Sequence, residues 1–246
     1  MKLSNNTVLI TGGSAGIGFA IAKQLTANGN HVIITGRNKE RLQKAVAQLK
    51  NTTGIVSDVA DEKDVDALVA RIEKEFPTLN VVINNAGRAL VYKLTEQGVN
   101  AFDKGVDEFQ TNYFSVIRLN EKLLPLLQKQ PEAAIVNVTS IVAFAPNHIL
   151  PSYSASKAAL HSYSQSLRVD LARTGNVKVF ELMPPLVDTE FSHEIGGSKG
   201  IPASAVADAF IDAFQNDEYE IHVGGTADLY KLYLSSPAQA LAALNG

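Results

Sequence analysis

A short apolar run that leads directly into a glycine-rich turn constrains the fold of this chain more than any other feature. Residues 7–11 (Thr-Val-Leu-Ile-Thr) are typical of a strand that is buried on both faces. Gly12-Gly-Ser14-Ala-Gly16-Ile17-Gly18 follows, and residues 19–28 then have helical spacing. A strand, a glycine turn and a helix N-terminus together direct backbone N–H groups and the positive end of a helix dipole towards an anion. The segment predicts the phosphate-binding turn of a dinucleotide site, and a tight turn without a ligand is the alternative.

The same alternation of apolar runs and helical segments continues along the chain. It predicts strands over residues 7–11, 31–35, 53–57, 79–83, 133–139, 176–182 and 219–223, and helices over residues 19–28, 39–50, 62–76, 101–129, 152–173, 202–216 and 227–244. This pattern indicates an α/β fold, a Rossmann-type doubly wound parallel sheet of about seven strands with helices on both faces. We expect one domain over residues 1–246, with a loop over 88–100, a mobile lid over about 190–201 and a C-terminal helical tail over about 226–244.

The composition excludes several classes of function. The 246 residues include no cysteine, which rules out disulfides, thiolate metal sites and cysteine nucleophiles. A net charge of −3 gives no electrostatic footprint for nucleic acid or for an anionic membrane. The first residues lack the apolar region of a signal peptide, and no stretch approaches the roughly 18 apolar residues of a membrane span. We therefore expect a soluble, cytoplasmic protein that binds neither nucleic acid nor membrane, and we identify no metal site.

The residues after the second predicted strand indicate which cofactor the turn would hold. An NAD site has an acidic residue here for the ribose 2′-hydroxyl, whereas this chain has Gly36-Arg37-Asn38. A guanidinium group suits a 2′-phosphate, so the segment points to NADP(H). The alternative is that Arg37 is a solvated residue before a helix cap at Asn38. Asp58, at the end of the third strand, could accept a hydrogen bond from an adenine amino group, but a capping role for Asp58 or Asp61 is an alternative.

A second turn of small residues follows the fourth predicted strand. Asn84-Asn85-Ala86-Gly87 comes directly after residues 79–83, which we place beside the first strand. An open parallel sheet binds its ligand at the carboxyl ends of its strands, where the strand order reverses. Asn85, Ala86 and Gly87 are therefore candidate cofactor contacts.

Tyr153 and Lys157 are four residues apart near the start of a helix that Pro151 opens. This spacing places the two side chains one turn apart on the same helix face. An ammonium group near a phenol lowers the pKa of the phenol, which would make Tyr153 a general acid or base. Ser140 ends an apolar strand-like run and could present its hydroxyl to the substrate carbonyl group on which Tyr153 would act. A pair of residues on a helix surface without a chemical role is the alternative.

Asn112 lies among aromatic neighbours, Tyr113 and Phe114, within the long predicted helix over residues 101–129. Its amide is therefore expected to be buried and to need hydrogen-bond partners. A hydrogen bond between two helices would satisfy it, and so would a role in the site.

These motifs occur in an order that resembles one family. Thr11-Gly-x3-Gly-x-Gly18, the Asn-Asn-Ala-Gly turn, Asn112, Ser140 and the Tyr-x3-Lys pair together resemble the single-domain short-chain dehydrogenases/reductases over about residues 5–225. Two segments, Pro-Pro-x-Val-Asp-Thr and Ser-Tyr-x-Gln-Ser-Leu-Arg, resemble those of the branch that is named for the DltE oxidoreductases of D-alanylation operons. We also expect a homo-oligomer, either a dimer or a tetramer, because the helices predicted over residues 101–129 and 152–173 carry more apolar and small residues than one sheet face can cover, and the resemblance implies that these helices pair between subunits.

The resemblance also implies roles for individual residues. Those matching Ser140 and Tyr153 bind a substrate carbonyl, and Tyr153 transfers the proton. The residue matching Lys157 holds the nicotinamide ribose, and the one matching Asn112 orders a water in a proton relay. The complete set of expected cofactor contacts is Gly12, Ser14, Gly16, Ile17, Gly18, Arg37, Asp58, Asn85, Ala86, Gly87, Tyr153, Lys157, Pro184, Val187 and Thr189. Pro185 replaces a glycine of the family pattern.

The expected activity is NADPH-dependent reduction of a ketone or aldehyde, or the reverse oxidation of an alcohol. Phe144, His148 and Phe191 are candidate substrate contacts, and the absence of a paired arginine clamp favours a neutral, partly apolar carbonyl compound. A non-catalytic nucleotide-binding regulatory protein on the same fold is the alternative from another class. An epimerase or dehydratase that uses the same tyrosine is a third, although the short C-terminal part leaves little room for a nucleotide-sugar domain.

Overall fold

A computed structural model describes residues 1–173 and 175–246. In this part of the chain, seven parallel strands form one sheet in the order β3-β2-β1-β4-β5-β6-β9, and two short parallel strands, β7 and β8, pair with each other. The strand bounds are β1 Thr7–Ile10, β2 His31–Gly36, β3 Thr52–Val56, β4 Leu79–Asn84, β5 Ala133–Val138, β6 Val177–Met183, β7 Val187–Asp188, β8 Ile201–Pro202 and β9 Glu220–His222. The strand order reverses between β1 and β4, as the sequence analysis predicts. The seven-stranded parallel sheet confirms the predicted fold class.

Helices connect the strands and cover both faces of the sheet. They are α1 Gly16–Ala27, α2 Lys39–Val46, α3 Glu62–Glu75, α4 Ala101–Phe109, α5 Ser115–Leu127, α6 Pro151–Leu171, α7 Ala203–Gln215, α8 Gly225–Ser235 and α9 Pro237–Asn245. A π-helical segment, Gln110–Phe114, joins α4 to α5, and 3-10 turns cover Ile141–Ala143, Glu190–Ile195 and Gly197–Lys199. Within the described ranges, no helix combines the length and the apolar character needed to cross a membrane.

Alternate residues of each central strand enter two separate cores. In β1, Val8 and Ile10 pack on the face covered by α1, α2 and α7, whereas Leu9 packs on the face covered by α3, α5 and α6. Successive side chains of a strand point to opposite faces of the sheet, so a strand with a helix layer on each side needs apolar residues throughout. This requirement explains the uninterrupted apolar runs in the sequence.

Two polar residues set the starting points of helices on either side of β3. The Asn38 side chain accepts the backbone N–H of Arg41 at 2.9 Å and caps α2. Asp61 accepts the N–H groups of Lys63 and Asp64 at 2.8 and 3.1 Å and caps α3. The capping role left open between Asp58 and Asp61 therefore belongs to Asp61.

The structure corrects several predicted helix bounds. The helix predicted over 101–129 is divided by the π-helical segment, which contains Asn112. The predicted C-terminal tail is two helices, because Ser236 is extended and caps α9, whose first residue is Pro237. The helix predicted over 39–50 ends at Val46. Residues 88–100 form the predicted loop, whereas the predicted lid contains two 3-10 turns and ends at β8, which pairs with β7 just before the lid.

Candidate active site

A cleft of about 350 Å³ opens at the carboxyl ends of the central strands. It lies where the strand order reverses, between the turns that follow β1 and β4. Most of the predicted cofactor contacts line it: Gly12, Ser14, Gly16, Ile17, Arg37, Asp58, Asn85, Ala86, Gly87, Tyr153, Lys157, Pro184 and Thr189. Gly18 and Val187 are buried beside the cleft and are not among its lining residues. The sequence analysis missed Ala15, Thr35, Arg41, Ser57, Val59, Thr111, Val138, Thr139 and Glu190, which also line it.

The glycine turn after β1 is locked to the small-residue turn after β4. The Asn85 side-chain amide donates to the carbonyl oxygens of Thr11 and Gly12 at 2.9 and 3.2 Å, and the Thr11 hydroxyl accepts the N–H groups of Asn85 and Ala86. A Cβ atom at Gly18 would lie 2.5 Å from the Asn85 amide nitrogen and 2.7 Å from the Gly12 oxygen. Only glycine fits at position 18, because a side chain there would push the two turns apart.

The N-terminus of α1 fits an anionic group. Gly12 and Gly16 have φ angles of 66° and 54°, in the left-handed region that glycine adopts without strain. The N-cap residue Ala15 has no hydrogen-bonding side chain, so no side-chain cap occupies the first N–H groups of α1. Because Ala15, Gly16 and Ile17 line the cleft, these donors are directed to its interior, where a pyrophosphate would satisfy them.

Two guanidinium groups lie at the end of the cleft next to β2 and β3. The Arg37 Nη1 atom lies 3.7 Å from a carboxylate oxygen of Asp58, and the side chain is 65% exposed. Arg41, in the first turn of α2, bonds Glu190 at 3.2 Å. A second arginine in the first turn of the helix that follows Arg37 is the sequence signal that would have identified Arg41. No carboxylate follows β2 directly, and the carboxylates of Asp58 and Glu190 face the two guanidinium groups.

Tyr153 and Lys157 face the cleft from the first two turns of α6. The Lys157 Nζ atom lies 5.7 Å from the centre of the Tyr153 ring and donates a hydrogen bond to the Val138 oxygen at 2.7 Å. The Lys157 side chain is buried, which excludes a solvated surface pair as the alternative. Burial lowers the pKa of Lys157 to about 8, and the nearby charge of Glu181 opposes this shift.

The pKa of Tyr153 is higher than the sequence analysis predicts. Burial raises the pKa of the phenol to about 12, a hydrogen bond with the Ser140 side chain lowers it, and the charge of Glu108 raises it. Sequence reasoning considered the ammonium of Lys157 alone and therefore predicted a lowered pKa for Tyr153. That prediction is wrong for the protein without ligand, because desolvation of the phenolate is the largest effect.

Asn112 is buried at the centre of the π-helical segment, and both its amide nitrogen and its amide oxygen are hydrogen-bonded. Its amide nitrogen donates to the Arg88 oxygen at 2.8 Å and to the Ser156 hydroxyl at 2.9 Å, and its oxygen accepts the Arg88 N–H at 2.8 Å. A Cβ atom on Gly87 would lie 3.5 Å from the Asn112 oxygen and 3.9 Å from the Lys157 Nζ atom. The bond to Ser156 is the helix–helix link that the sequence analysis gives as one alternative, and the side chain is also within reach of the site.

Of the three candidate substrate contacts, only Phe191 lines the cleft, with its ring centre 6.1 Å from that of Tyr153. Phe144 instead packs against His161 and Tyr230, with ring-centre distances of 5.2 and 4.7 Å. His148 bonds Asn245 through its backbone N–H and through Nδ1. Neither Phe144 nor His148 lines the cleft, because Phe144 is buried against α8 and the exposed His148 is bonded to α9, so their substrate roles stay predictions.

The model of the short chain dehydrogenase family matches residues 6–200, a span that contains the glycine turn, Ser140, Tyr153 and Lys157. The chain belongs to the short-chain dehydrogenase family. The uncharacterized oxidoreductase DltE of Bacillus subtilis (strain 168) is 43% identical over 226 residues, which are 90% of this chain and 89% of DltE. This short-chain dehydrogenase is therefore an oxidoreductase, and its similarity to DltE agrees with the branch that the sequence analysis indicates.

Solved structures of the family share the fold. A short chain dehydrogenase from Burkholderia cenocepacia J2315, solved in complex with NADP, superposes with a TM-score of 0.86 at 26% identity over 99% of both chains. A short chain dehydrogenase/reductase from Burkholderia phymatum, solved in complex with NAD, has a TM-score of 0.87 at 21% identity and covers 98% of this chain and 96% of its own. The fold of this short-chain dehydrogenase is thus common to proteins that bind either dinucleotide.

Proposed function

We propose that the protein is an NADPH-dependent carbonyl reductase that reduces a ketone or aldehyde, with Tyr153 as the proton donor. The observation that carries the proposal is that Tyr153 and the buried Lys157 face the same cleft as the glycine turn. A protein that only binds a nucleotide has no use for a phenol and a buried ammonium at the end of its binding cleft. The non-catalytic regulatory protein remains the alternative, and the experiment below separates the two.

NADP(H) is the proposed cofactor because two guanidinium groups, those of Arg37 and Arg41, lie at one end of the cleft. The Burkholderia cenocepacia relative was solved with NADP, which supports this choice. The glycine turn and α1 would hold the pyrophosphate, and Asn85, Ala86, Pro184 and Thr189 would contact the remainder. The bound cofactor supplies the hydride, and the protein orients it and the substrate.

Four polar side chains of the protein would donate the proton and bind the carbonyl oxygen of the substrate. The Tyr153 hydroxyl is protonated at neutral pH, since its pKa lies far above 7, and is therefore ready to donate a proton to the carbonyl oxygen. Ser140 hydrogen-bonds Tyr153 and would be a second donor to the same oxygen. Lys157 would bond a ribose hydroxyl and stabilise the phenolate that forms after proton transfer. Asn112 would hold a water that returns the proton to Tyr153.

The substrate that we propose is a neutral, partly apolar carbonyl compound. Phe191 is half-exposed at the cleft beside Tyr153 and offers an aromatic surface to such a molecule. The lid formed by residues 190–201 carries Phe191, so closure of this segment would exclude water from the reaction. The protein is also proposed to be a cytoplasmic homo-oligomer.

A panel of ketones and aldehydes, with NADPH consumption followed by absorbance, tests the proposal. We expect turnover of at least one carbonyl compound by the wild type, and Tyr153→Phe should reduce kcat by roughly 10²–10⁴-fold while leaving NADPH affinity nearly unchanged. The change keeps the ring and removes only the hydroxyl. Near-normal turnover by Tyr153→Phe would show that the phenol is not the acid. NADPH binding without turnover of any carbonyl compound would favour the regulatory protein.

A further inference from the structure

A buried carboxylate outside the catalytic set lies beside Tyr153. Glu108 is on α4 and is completely buried. One of its oxygens accepts the backbone N–H of Leu90 at 2.7 Å, and the other accepts the hydroxyl of Ser152. Ser152 directly precedes Tyr153 in the first turn of α6, so Glu108 is bonded to the turn that carries the proposed acid.

Glu108 repeats, one helical turn earlier, the connection that Asn112 makes. Asn112 links the loop after β4, at Arg88, to Ser156 of α6. Glu108 links the same loop, two residues further on, to the first turn of α6. Residues four apart lie on one face of a helix, so the two links are parallel cross-connections between the same three segments. Tyr153 lies between their attachment points on α6, and the two links together fix the backbone on both sides of it.

The hydrogen-bond partners of Glu108 suit a carboxylate, because each of them has a hydrogen to donate. A serine hydroxyl has one hydrogen, and that of Ser152 is donated to Glu108. The buried Tyr92 hydroxyl, which also contacts Ser152, is therefore the donor in that second bond. The chain of donors runs from Tyr92 through Ser152 and ends at Glu108, which accepts a further hydrogen from the backbone. Every contact brings a hydrogen to the carboxylate, so ionised Glu108 has partners for both oxygens.

The charge of Glu108 acts on both α6 and the phenol. The N-cap residue of α6, Leu150, has no side chain that could cap the helix, and its first turn contains no acidic residue. Glu108 supplies the negative charge that the N-terminus of a helix favours. The same charge raises the pKa of Tyr153, while burial raises the pKa of Glu108 itself. The other charged or titratable groups around Glu108, Tyr92 and Tyr153 are Arg88, Lys104, Asp107 and Lys157.

We infer that Glu108 is a positioning residue for Tyr153, because its hydrogen bonds to Leu90 and Ser152 fix the first turn of α6, which carries the phenol. The inference deepens the proposed function and rests on it for the role of Tyr153 as acid. The negative charge of Glu108 also favours the protonated phenol. We therefore expect the protein to be adapted to carbonyl reduction more than to alcohol oxidation, since reduction requires the protonated phenol and oxidation requires the phenolate.

Glu108→Gln tests the role of the charge. Glutamine keeps an oxygen for the Leu90 N–H and has nearly the same size, but it carries no charge. Removal of a negative charge lowers the pKa of Tyr153, so the pH at which reduction declines should fall. Oxidation of the corresponding alcohol should begin at a correspondingly lower pH. The affinity for NADPH should not change, because Glu108 is not among the residues that line the cleft.

Two further variants separate positioning from general destabilisation. Glu108→Ala removes both bonds to the loop and to α6, and we expect kcat to fall by roughly ten- to a hundredfold with NADPH affinity unchanged. Asp103→Asn is the matched control, because it removes an exposed carboxylate from the same helix without touching α6. It should leave both the pH profile and kcat at the wild-type values. A pH profile of Glu108→Gln equal to that of the wild type would overturn the inference.

A readout without turnover keeps this test independent of the proposed function. Nuclear magnetic resonance of protein with isotope-labelled tyrosine follows the ionisation of Tyr153 directly, and Tyr153→Phe identifies its signal. We expect Tyr153 of Glu108→Gln to ionise at a lower pH than Tyr153 of the wild type. Identical behaviour in both proteins, including no ionisation in either over the pH range in which they are folded, overturns the inference. A lowered ionisation pH in a protein that reduces no carbonyl compound would support the effect of Glu108 and reject the reductase.

Discussion

Lys157 is destabilising in the protein without ligand. Its pKa is lowered from the ordinary 10.5 to about 8 because its ammonium group is buried. Below pH 8 the group is charged in both the folded and the unfolded states, so the folded state bears the full cost of burial, about 3 kcal/mol. As pH rises from 8 to 10.5, the unfolded state binds more protons than the folded state, and the cost disappears. A buried lysine that lowers stability is expected at a functional site.

We therefore predict that Lys157→Met stabilises the ligand-free protein at pH 7. Loss of the hydrogen bond to the Val138 oxygen offsets part of the gain, which leaves an increase of about 1–2 kcal/mol in the free energy of unfolding. The increase should shrink between pH 8 and pH 10.5. Urea denaturation at several pH values measures it, with the exposed Lys44→Met as control. A less stable Lys157→Met at pH 7 would mean that the bonds of the ammonium group outweigh its desolvation.

Arg37 is predicted to select between the two dinucleotides. Arg37→Ala should weaken NADPH binding by roughly ten- to a hundredfold and leave NADH binding nearly unchanged, because only the 2′-phosphate would meet the guanidinium. Arg41→Ala should have a smaller effect, since Glu190 already pairs with that guanidinium. Isothermal titration calorimetry with both dinucleotides measures the difference. Equal losses for NADPH and NADH would assign Arg37 a structural role, and a wild type that prefers NADH would contradict the choice of cofactor.

At the scale of elements, the shape of the turn after β1 depends on its contacts with the turn after β4. The amide of Asn85, from the turn after β4, lies in the space that a side chain at position 18 would occupy. We predict that Gly18→Ala weakens NADPH binding at least about tenfold, since a Cβ atom 2.7 Å from a backbone oxygen is relieved only by moving the turn. It should also lower Tm. Calorimetry and thermal unfolding measure both effects.

Gly225→Ala is the control for this change. A Cβ atom at Gly225 meets nothing within 4 Å, and the residue lies at the start of α8, far along the chain from the turn. Alanine is favoured over glycine in helices, so this variant should be neutral or slightly stabilising. Unaltered NADPH affinity in Gly18→Ala would show that the two turns are not a rigid unit.

The elements that could be predicted from the sequence are those with a local cause. The glycine turn predicts the joint between β1 and α1, the apolar runs predict the buried strands, and the i, i+4 spacing places Tyr153 and Lys157 on one face. The position of β4 beside β1 could also be predicted, because the turns that follow these two strands indicate one shared ligand site. Each of these features is determined by residues that are close in the chain.

The features that sequence reasoning missed depend on contacts between distant segments. Phe144 is near Tyr153 in the chain, but two tyrosines of α8 pack against it, and no local pattern shows where this helix packs. In the sequence, Glu108 cannot be distinguished from any other acidic residue of an amphipathic helix. Only the folded structure shows that it bonds α6 and the loop after β4. The pKa of Tyr153 was predicted in the wrong direction for the same reason, since burial and the charge of Glu108 are tertiary effects.

At the scale of the whole molecule, large apolar side chains of α4, the π-helical segment and α6 are exposed to solvent. Phe102 and Val106 of α4 are 79% and 54% exposed, and Phe114 of the π-helical segment and Val169 of α6 are 49% and 62% exposed. Large apolar side chains grouped on one surface mark an interface more often than a solvated face. α4 and α6 also carry the residues that hold Tyr153, so a partner on this surface would restrain the site.

We predict that a second copy of the chain covers this surface. Light scattering at micromolar concentration should give a mass of at least twice 26.4 kDa. Phe102→Lys should lower that mass, because a charged side chain would have to be desolvated in the interface. Leu234→Lys, which places the same charge at a residue that is 66% exposed on α8, should leave the mass unchanged. A monomeric wild type would reject the oligomer, whereas dissociation by Leu234→Lys alone would keep the oligomer and move its interface to the C-terminal helices.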